Sequence, residues 1–251
     1  MRATFAGVGE AFDETLPNTS ILVETDTASL LLDCGFTAPG ALRRAAGDAV
    51  LDLDMIYISH YHGDHYFGLP ALLVRFIEEG RKRPLKILGK TGIRGRVNRL
   101  MDMAYPNAPS RAEFETYFIE CGPGEEIRHA GVNFEFALGD HPMPCLAVRL
   151  TADGKSLYYS GDGRPTDATR SLAAGCGLVI HEAFVLDGET PGHGSVDSAL
   201  AFAAEAGAHA CALVHLNRTV RRNQKDAVLA RLAETHDLHA FLPEPGDTFT
   251  I

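Results

Sequence analysis

Three short apolar runs in this chain each close on a histidine: MIYISH (55–60), GLVIHE (177–182) and CALVHLN (211–217). Runs of this length, rich in Ile, Val and Tyr, read as buried strands. In α/β sheets, ligands gather beyond the carboxyl ends of strands. The three runs are therefore expected to deliver their histidines to one rim. A faint duplication narrows the architecture further. ILVETDTASLLLDCG (21–35) reads as a strand–turn–strand hairpin ending near Asp33. AVRLTADGKSLYYSGDG (147–163) has the same form, turning at Asp153-Gly154 and ending near Asp162. A strand ending in histidine follows each hairpin. Helical periodicity covers 67–80, 195–207 and 224–237, and Ser195 or Asp197 is placed to cap the second of these, with Gly207 to end it. The expectation is one α/β domain over residues 1–251, made of two similar halves joined near 121–126, with helices on one side of each of two sheets.

Composition enters mainly through what it excludes. The formal charge of −10 disfavours a protein whose whole surface grips nucleic acid, because such binding neutralises phosphates. The charge is uneven, however. Residues 81–100 hold eight Lys/Arg and no acid, and a second basic cluster lies at 218–225. Each reads either as solvated surface or as a patch for an anionic substrate. No apolar run is long enough to span a bilayer, and Gly7, Gly9, Glu10 and Asp13 interrupt any signal-peptide core. A cytoplasmic location is expected. The cysteines (Cys34, Cys121, Cys145, Cys176, Cys211) are odd in number and scattered, so they read as reduced, mostly buried thiols.

The densest chemistry lies in HYHGDH, residues 60–65. His60 and His62, two apart just past a strand, can point the same way, while Asp64 and His65 follow a glycine that permits a tight turn toward a second point. Histidine and carboxylate bind zinc at about 2.0–2.2 Å, so ligands of one ion must converge. Seven or eight ligands suit two ions, and this stretch supplies four.

HYHGDH resembles the HxHxDH signature of the metallo-β-lactamase fold superfamily, and the resemblance extends across nearly the whole chain. His141 in LGDHPMP resembles the third-motif histidine, Asp162 in YYSGDGR the bridging aspartate and His215 in LVHLNR the last histidine. The resemblance implies an αββα sandwich of two similar halves. It implies that His60, His62 and His141 hold one divalent ion, that Asp64, His65 and His215 hold another, and that Asp162 bridges them. Zinc is the first expectation, with Mn, Fe or Ni compatible with the same donors. Two such ions lower the pKa of a shared water and stabilise charge on the attacked centre; by the resemblance, Asp64 also accepts a hydrogen bond from that water.

Within the superfamily, the sequence is most similar to ribonuclease Z and related phosphodiesterases. SHYHGDHYFGLPALL is close to that family's first motif. HEAF (181–184) resembles its HEAT segment and GHGS (192–195) its GHST segment, which implies that Glu182 and His193 help protonate the leaving oxygen. A carboxylate beside an imidazole orients the ring and favours its protonated form. Three features depart from the pattern. Phe replaces the Thr of HEAT, HGS replaces HST, and only 21 positions separate His141 from Asp162, where ribonuclease Z usually carries its tRNA-clamping arm. A large folded RNA is therefore disfavoured, and a small anionic phosphodiester, cyclic nucleotide or short single strand is expected. Similar enzymes are often homodimers.

Two other readings compete. The same metals could cleave a sulfate ester, lactone or carboxylic ester, in which case an apolar cleft with a Tyr or backbone oxyanion donor is expected. A non-catalytic member would normally have lost ligands, and all seven are present. A diiron reductase is disfavoured because that branch replaces the second histidine with an acid, and His62 is intact. His129, His209, His236 and His239 read as structural or surface residues.

Overall fold

The computed structural model describes residues 1–188 and 190–251. Its first half runs β1 (Arg2–Gly7), β2 (Ser20–Glu24), β3 (Ser29–Leu32), helix α1 (Ala38–Ala46), β4 (Met55–Ile58), a single turn α2 (Gly63–Tyr66), α3 (Leu69–Glu78), β5 (Leu85–Gly89), α4 (Ile93–Ala104) and β6 (Thr116–Glu120). The second half repeats the plan with β7 (Glu126–His129), β8 (Val132–Leu138), β9 (Leu146–Ala152), β10 (Lys155–Tyr159), α5 (Asp167–Ala173), β11 (Leu178–Glu182), α6 (Val196–Glu205), β12 (Ala210–Val214), α7 (Arg218–Asn223), α8 (Lys225–Ala233) and β13 (His239–Phe241). A last strand, β14 (Thr248–Thr250), crosses back to pair with β1.

Each sheet has seven strands, in the orders β14-β1-β2-β3-β4-β5-β6 and β13-β12-β11-β10-β9-β8-β7. In both, an antiparallel hairpin (β2–β3, β9–β10) leads into parallel strands (β4 to β6, β11 to β13). The duplication expected from the two hairpins is thus present, with the crossing of β14 as its one exchange between halves. Asp153 and Gly154, the turn of the second hairpin, both take positive φ, as a tight right-twisted hairpin requires.

The layers follow from strand alternation. In β3, Leu30 and Leu32 face the other sheet, while Leu31 faces the helices. A strand apolar on both sides is what a central position in an αββα sandwich demands. The inter-sheet core is built around side chains such as Phe5, Ile21, Phe134 and Leu150. Phe76 and Leu69 of α3 seal the outer face of the first sheet, and Phe202 of α6 seals that of the second. Each such fully buried side chain contributes roughly 1.5–3 kcal/mol relative to an exposed one. α6 starts where its sequence places it: Ser195 accepts the amide of Ser198, and Ser198 returns the bond in a capping box.

All five cysteines are free and buried. No helix is long and apolar enough to cross a membrane among the described residues. Between His141 and Asp162 stands only the β9–β10 hairpin.

Candidate active site

The parallel strands of both sheets end on the same rim, and the site lies there. Just beyond β4, His60 Nε2 approaches His62 Nδ1 to 3.0 Å, and His141 Nε2, from the loop after β8, lies 3.3 Å from His62 Nδ1. Asp162 Oδ2, from the loop after β10, stands 3.7 Å from His60 Nε2. A second group lies beside the first. His215 Nε2, from the end of β12, is 3.2 Å from Asp64 Oδ2 and 3.6 Å from Asp162 Oδ1. His65 Nε2 is 3.2 Å from Asp64 Oδ2 and 3.3 Å from Asp162 Oδ1. All seven residues singled out as ligands therefore converge in two groups, and Asp162 contributes an oxygen to each.

The donors fit two divalent cations. Ligands around a tetrahedral ion with bonds of about 2.0–2.1 Å stand roughly 3.3 Å apart, close to the separations here. His65 Nε2 and Asp162 Oδ1 are buried and make no hydrogen bond among the described residues. Buried polar atoms without partners are rare and call for an occupant.

The surrounding residues prepare these ligands. Asp33, at φ 58°, is fully buried at the end of β3. Its carboxylate accepts the Ser59 amide and hydroxyl, the His65 Nδ1–H and the Tyr159 hydroxyl, all at 2.7 Å. Holding the proton on Nδ1 leaves the His65 Nε2 lone pair free for a metal. His141 Nδ1 donates to the Gly192 carbonyl at 2.8 Å. Gly192 has φ 73°, and a Cβ there would stand 2.2 Å from Pro142 Cδ, so the position accepts only glycine without rearrangement. Sequence reasoning missed Asp33 and Tyr159 as site residues, although both lie at the ends of the two duplicated hairpins.

The two groups differ in charge. Burial, reinforced by His65, pushes the His60 pKa well below its usual value, and burial with His141 lowers that of His62. Burial also opposes charge on His65 and His215, but Asp162 outweighs it with help from Asp33 or Asp64. The His65 pKa rises well above its usual value, and that of His215 rises to about 9. Burial likewise opposes ionisation of Asp64 and Asp162, yet His215 and His65 hold both well below the carboxylate range.

Glu182 and His193 come together as expected. His193 Nδ1 is 3.3 Å from Glu182 Oε1. The Glu182 carboxylate is fully buried and accepts the amides of Gly163 (3.1 Å), Gly194 (2.9 Å) and Phe184 (3.1 Å). The His193 ring stacks on Phe184 at 4.6 Å and lies parallel to His215 at 5.9 Å. Phe184, the residue that departs from HEAT, thus forms one side of the His193 slot.

One expectation needs correction, and two open points, the turn at Gly63 and the place of the basic segment, resolve with it. His181 does not reach the rim. Leu178 and Ile180 of β11 face the other sheet, so alternation turns His181 toward the helices and Glu182 toward the site. His181 packs on Tyr158 and Phe202, and its Nδ1 donates to the Glu182 carbonyl. Gly63 opens α2 without positive φ; what it supplies is space, since a Cβ would lie 2.9 Å from the Phe67 ring. The basic segment 81–100 does not line the cavity above the candidate metal ligands. Arg81 is buried and donates to the carbonyls of Leu53 and Pro84, Arg83 pairs with Asp54, and Lys90 donates to the Pro144 carbonyl. The cavity, about 450 Å³, has Phe12, Phe36, Phe67 and Phe184 on its walls and Arg218, from the second basic cluster, as its one Lys or Arg among the described residues.

Comparison with known proteins agrees with this geometry. A ribonuclease Z from Natronomonas pharaonis is 27% identical, covering 100% of this chain and 98% of its own length. That alignment runs over 306 positions, more than the 251 residues here, so the relative carries residues this chain lacks. The metallo-β-lactamase fold protein YhfI from Bacillus subtilis superposes with a TM-score of 0.81 at 22% identity, covering 99% of this chain and 98% of that one. The short form of human tRNase Z gives 0.82 at 22%, covering 100% and 99%. The chain has the metallo-β-lactamase fold. A family model described as anti-Pycsar protein Apyc1 matches residues 1–239, nearly the whole length, and the chain belongs to that family.

Proposed function

We propose that the protein is a dinuclear phosphodiesterase acting on a small or single-stranded phosphodiester. The observation that carries this reading is the pair of ligand groups sharing Asp162, with the Glu182–His193 pair at their side. Bound ions, zinc or another divalent metal, would supply an acidified water and neutralise charge on a phosphodiester. His60, His62 and His141 would hold one ion; Asp64, His65 and His215 would hold the other; Asp162 would bridge them.

The protein's own groups supply the rest. Asp64, held as a carboxylate, accepts a hydrogen bond from the attacking water and orients it. His193, with Nδ1 toward Glu182, turns its other nitrogen to the cavity and donates a proton to the leaving oxygen. Glu182, fixed by three backbone amides, stabilises the charged imidazole before that transfer. Phe184 keeps the ring from rotating out of line.

The substrate is expected to be small. The β9–β10 hairpin leaves no arm to clamp a folded RNA, and the relatives named ribonuclease Z point to the same bond type. The family description, anti-Pycsar, adds an action against Pycsar to this proposal. A cyclic nucleotide is the first small diester to test.

One observation favours the rival ester or lactone reading: four phenylalanines line the cavity. Against it, no tyrosine lines the cavity among the described residues, and Arg218 does. The deciding assay sets bis(p-nitrophenyl) phosphate beside p-nitrophenyl sulfate and p-nitrophenyl acetate, with metal-loaded enzyme. The diester is expected to be preferred; because p-nitrophenolate leaves with little protonation, the effect of His193→Ala, a fall in kcat of roughly 100-fold or more with metal content retained, is read on a cyclic nucleotide, whose leaving group is an alkoxide. Preferential turnover of sulfate or acetate would overturn the phosphodiester assignment.

A further inference from the structure

We infer that Arg218 reads the charge of the substrate and that Glu10 is its positioning residue. This rests on the phosphodiesterase reading above and adds a recognition group to it.

The sequence places Arg218 three positions after His215. His215 adopts φ 58°, which turns the chain out of β12, and its amide donates to the Val8 carbonyl at 2.9 Å. Asn217 then caps α7 by accepting the Thr219 amide at 2.9 Å. Arg218 is the first residue of that helix, so its side chain starts at the mouth of the cavity. Alongside runs the loop after β1, joined to this turn by a bridge between Gly9 and Leu216.

Glu10 on that loop is 2% exposed and Arg218 is 38% exposed at the side chain. Arg218 Nη1 donates to Glu10 Oε1 at 2.7 Å, and Glu10 Oε2 accepts the Phe12 amide at 2.9 Å. The guanidinium also sits 5.7 Å from the Phe12 ring centre. Both oxygens of Glu10 are therefore engaged, whereas Nε and Nη2 of Arg218 make no hydrogen bond among the described residues. A guanidinium held by one nitrogen, with two more donors free at a cavity, is arranged for a second oxyanion. Phosphate oxygens match that fork geometry. Every cation of segment 81–100 lies elsewhere, and the net charge of −10 makes this local positive group the more selective for an anion.

Arg222 provides the control. It pairs with Glu14 at 2.9 Å on the same helix and the same loop, but it does not line the cavity. A residue that merely tethers the loop would behave like Arg222.

The test compares metal-loaded wild type with Arg218→Ala, Arg218→Lys, Glu10→Gln and Arg222→Ala, using bis(p-nitrophenyl) phosphate and inorganic phosphate as inhibitor. Arg218→Ala is expected to raise KM and the phosphate inhibition constant by roughly 10-fold or more, with kcat changed by less than about 3-fold. Arg218→Lys should recover part of that loss, and Glu10→Gln should show a smaller rise. Arg222→Ala should match wild type. An unchanged KM in Arg218→Ala, or an equal rise in Arg222→Ala, would overturn the assignment. If wild type leaves the diester intact, the phosphodiesterase reading fails by itself. Phosphate inhibition of whichever ester is cleaved then still tests Arg218, and equal inhibition of wild type and Arg218→Ala would overturn its role.

Discussion

The two candidate ligand groups of the site share Asp162 but are built differently. In the group of His60, His62 and His141, two histidines are only partly buried, and burial keeps the ring of His60 neutral. In the group of Asp64, His65 and His215, every member is buried, and the carboxylates draw protons onto both histidines. Behind the second group stands Asp33 with its four hydrogen bonds; His60 and His141 have one supporting partner each, Ser59 and the Gly192 carbonyl. The difference teaches that equivalent ligand sets need not load equally. One group is open and ready for a cation, while the other is enclosed and must release protons to take one.

The largest expected effect comes from removing what the two groups share. Asp162→Ala should strip both sites and cost several kcal/mol of transition-state stabilisation, or roughly a 1,000-fold fall in kcat/KM. Metal analysis of the purified variant checks this; full occupancy of either group would show that Asp162 does not join them.

Asp33→Asn separates the groups. It should weaken metal binding at the enclosed group by roughly 10–100-fold and at the open group by less, because Asp33 bonds His65 directly but reaches His60 only through Ser59. Stepwise competition with a chelator would resolve the two affinities, and equal weakening of both would erase the contrast.

The pH dependence should separate them too. His215, raised to about 9 from an ordinary 6.5, holds a proton at neutral pH in the metal-free protein. Metal affinity at the enclosed group should therefore rise as pH increases from 6.5 toward 9, whereas the open group, with His60 and His62 already neutral, should change little over that range. The sign for metal-free stability is the reverse. A raised histidine stabilises fully below its unfolded pKa, and that contribution is lost as pH rises through the folded value. Chelator titrations and thermal melts at pH 6.5, 7.5 and 9 would read both.

The smallest expected effect is that of Tyr159→Phe, which removes one of four hydrogen bonds to Asp33. About 1–2 kcal/mol of stability should be lost in a denaturant titration, with activity retained, because Ser59 and His65 still hold the carboxylate. A collapse of metal binding in this variant would make the hydroxyl part of the site.

By itself, the sequence determined the hairpin duplication, the helices read at 67–80, 195–207 and 224–237, and the four candidate ligands of residues 60–65, because these depend on short-range pattern: alternation, capping, and histidines packed into six positions; His141, Asp162 and His215 were legible only through the resemblance. The Glu182–His193 pair was legible through motif resemblance rather than periodicity. Alternation along β11 was also enough to turn His181 toward the helices, had Ile180 and Glu182 been read as one face. Only the tertiary structure decided which basic segment meets the substrate cavity. Residues 81–100 and 218–225 are both basic and free of acids on paper, but Arg81 and Arg83 fold onto local carbonyls and carboxylates while Arg218 follows His215 out of β12 to the rim. Asp33 likewise gained its role only when the fold brought Ser59, His65 and, from 126 residues away, Tyr159 to its carboxylate. Charge and hydrogen-bond capacity are written in the sequence, but the partners that use them up are set by contacts between distant segments.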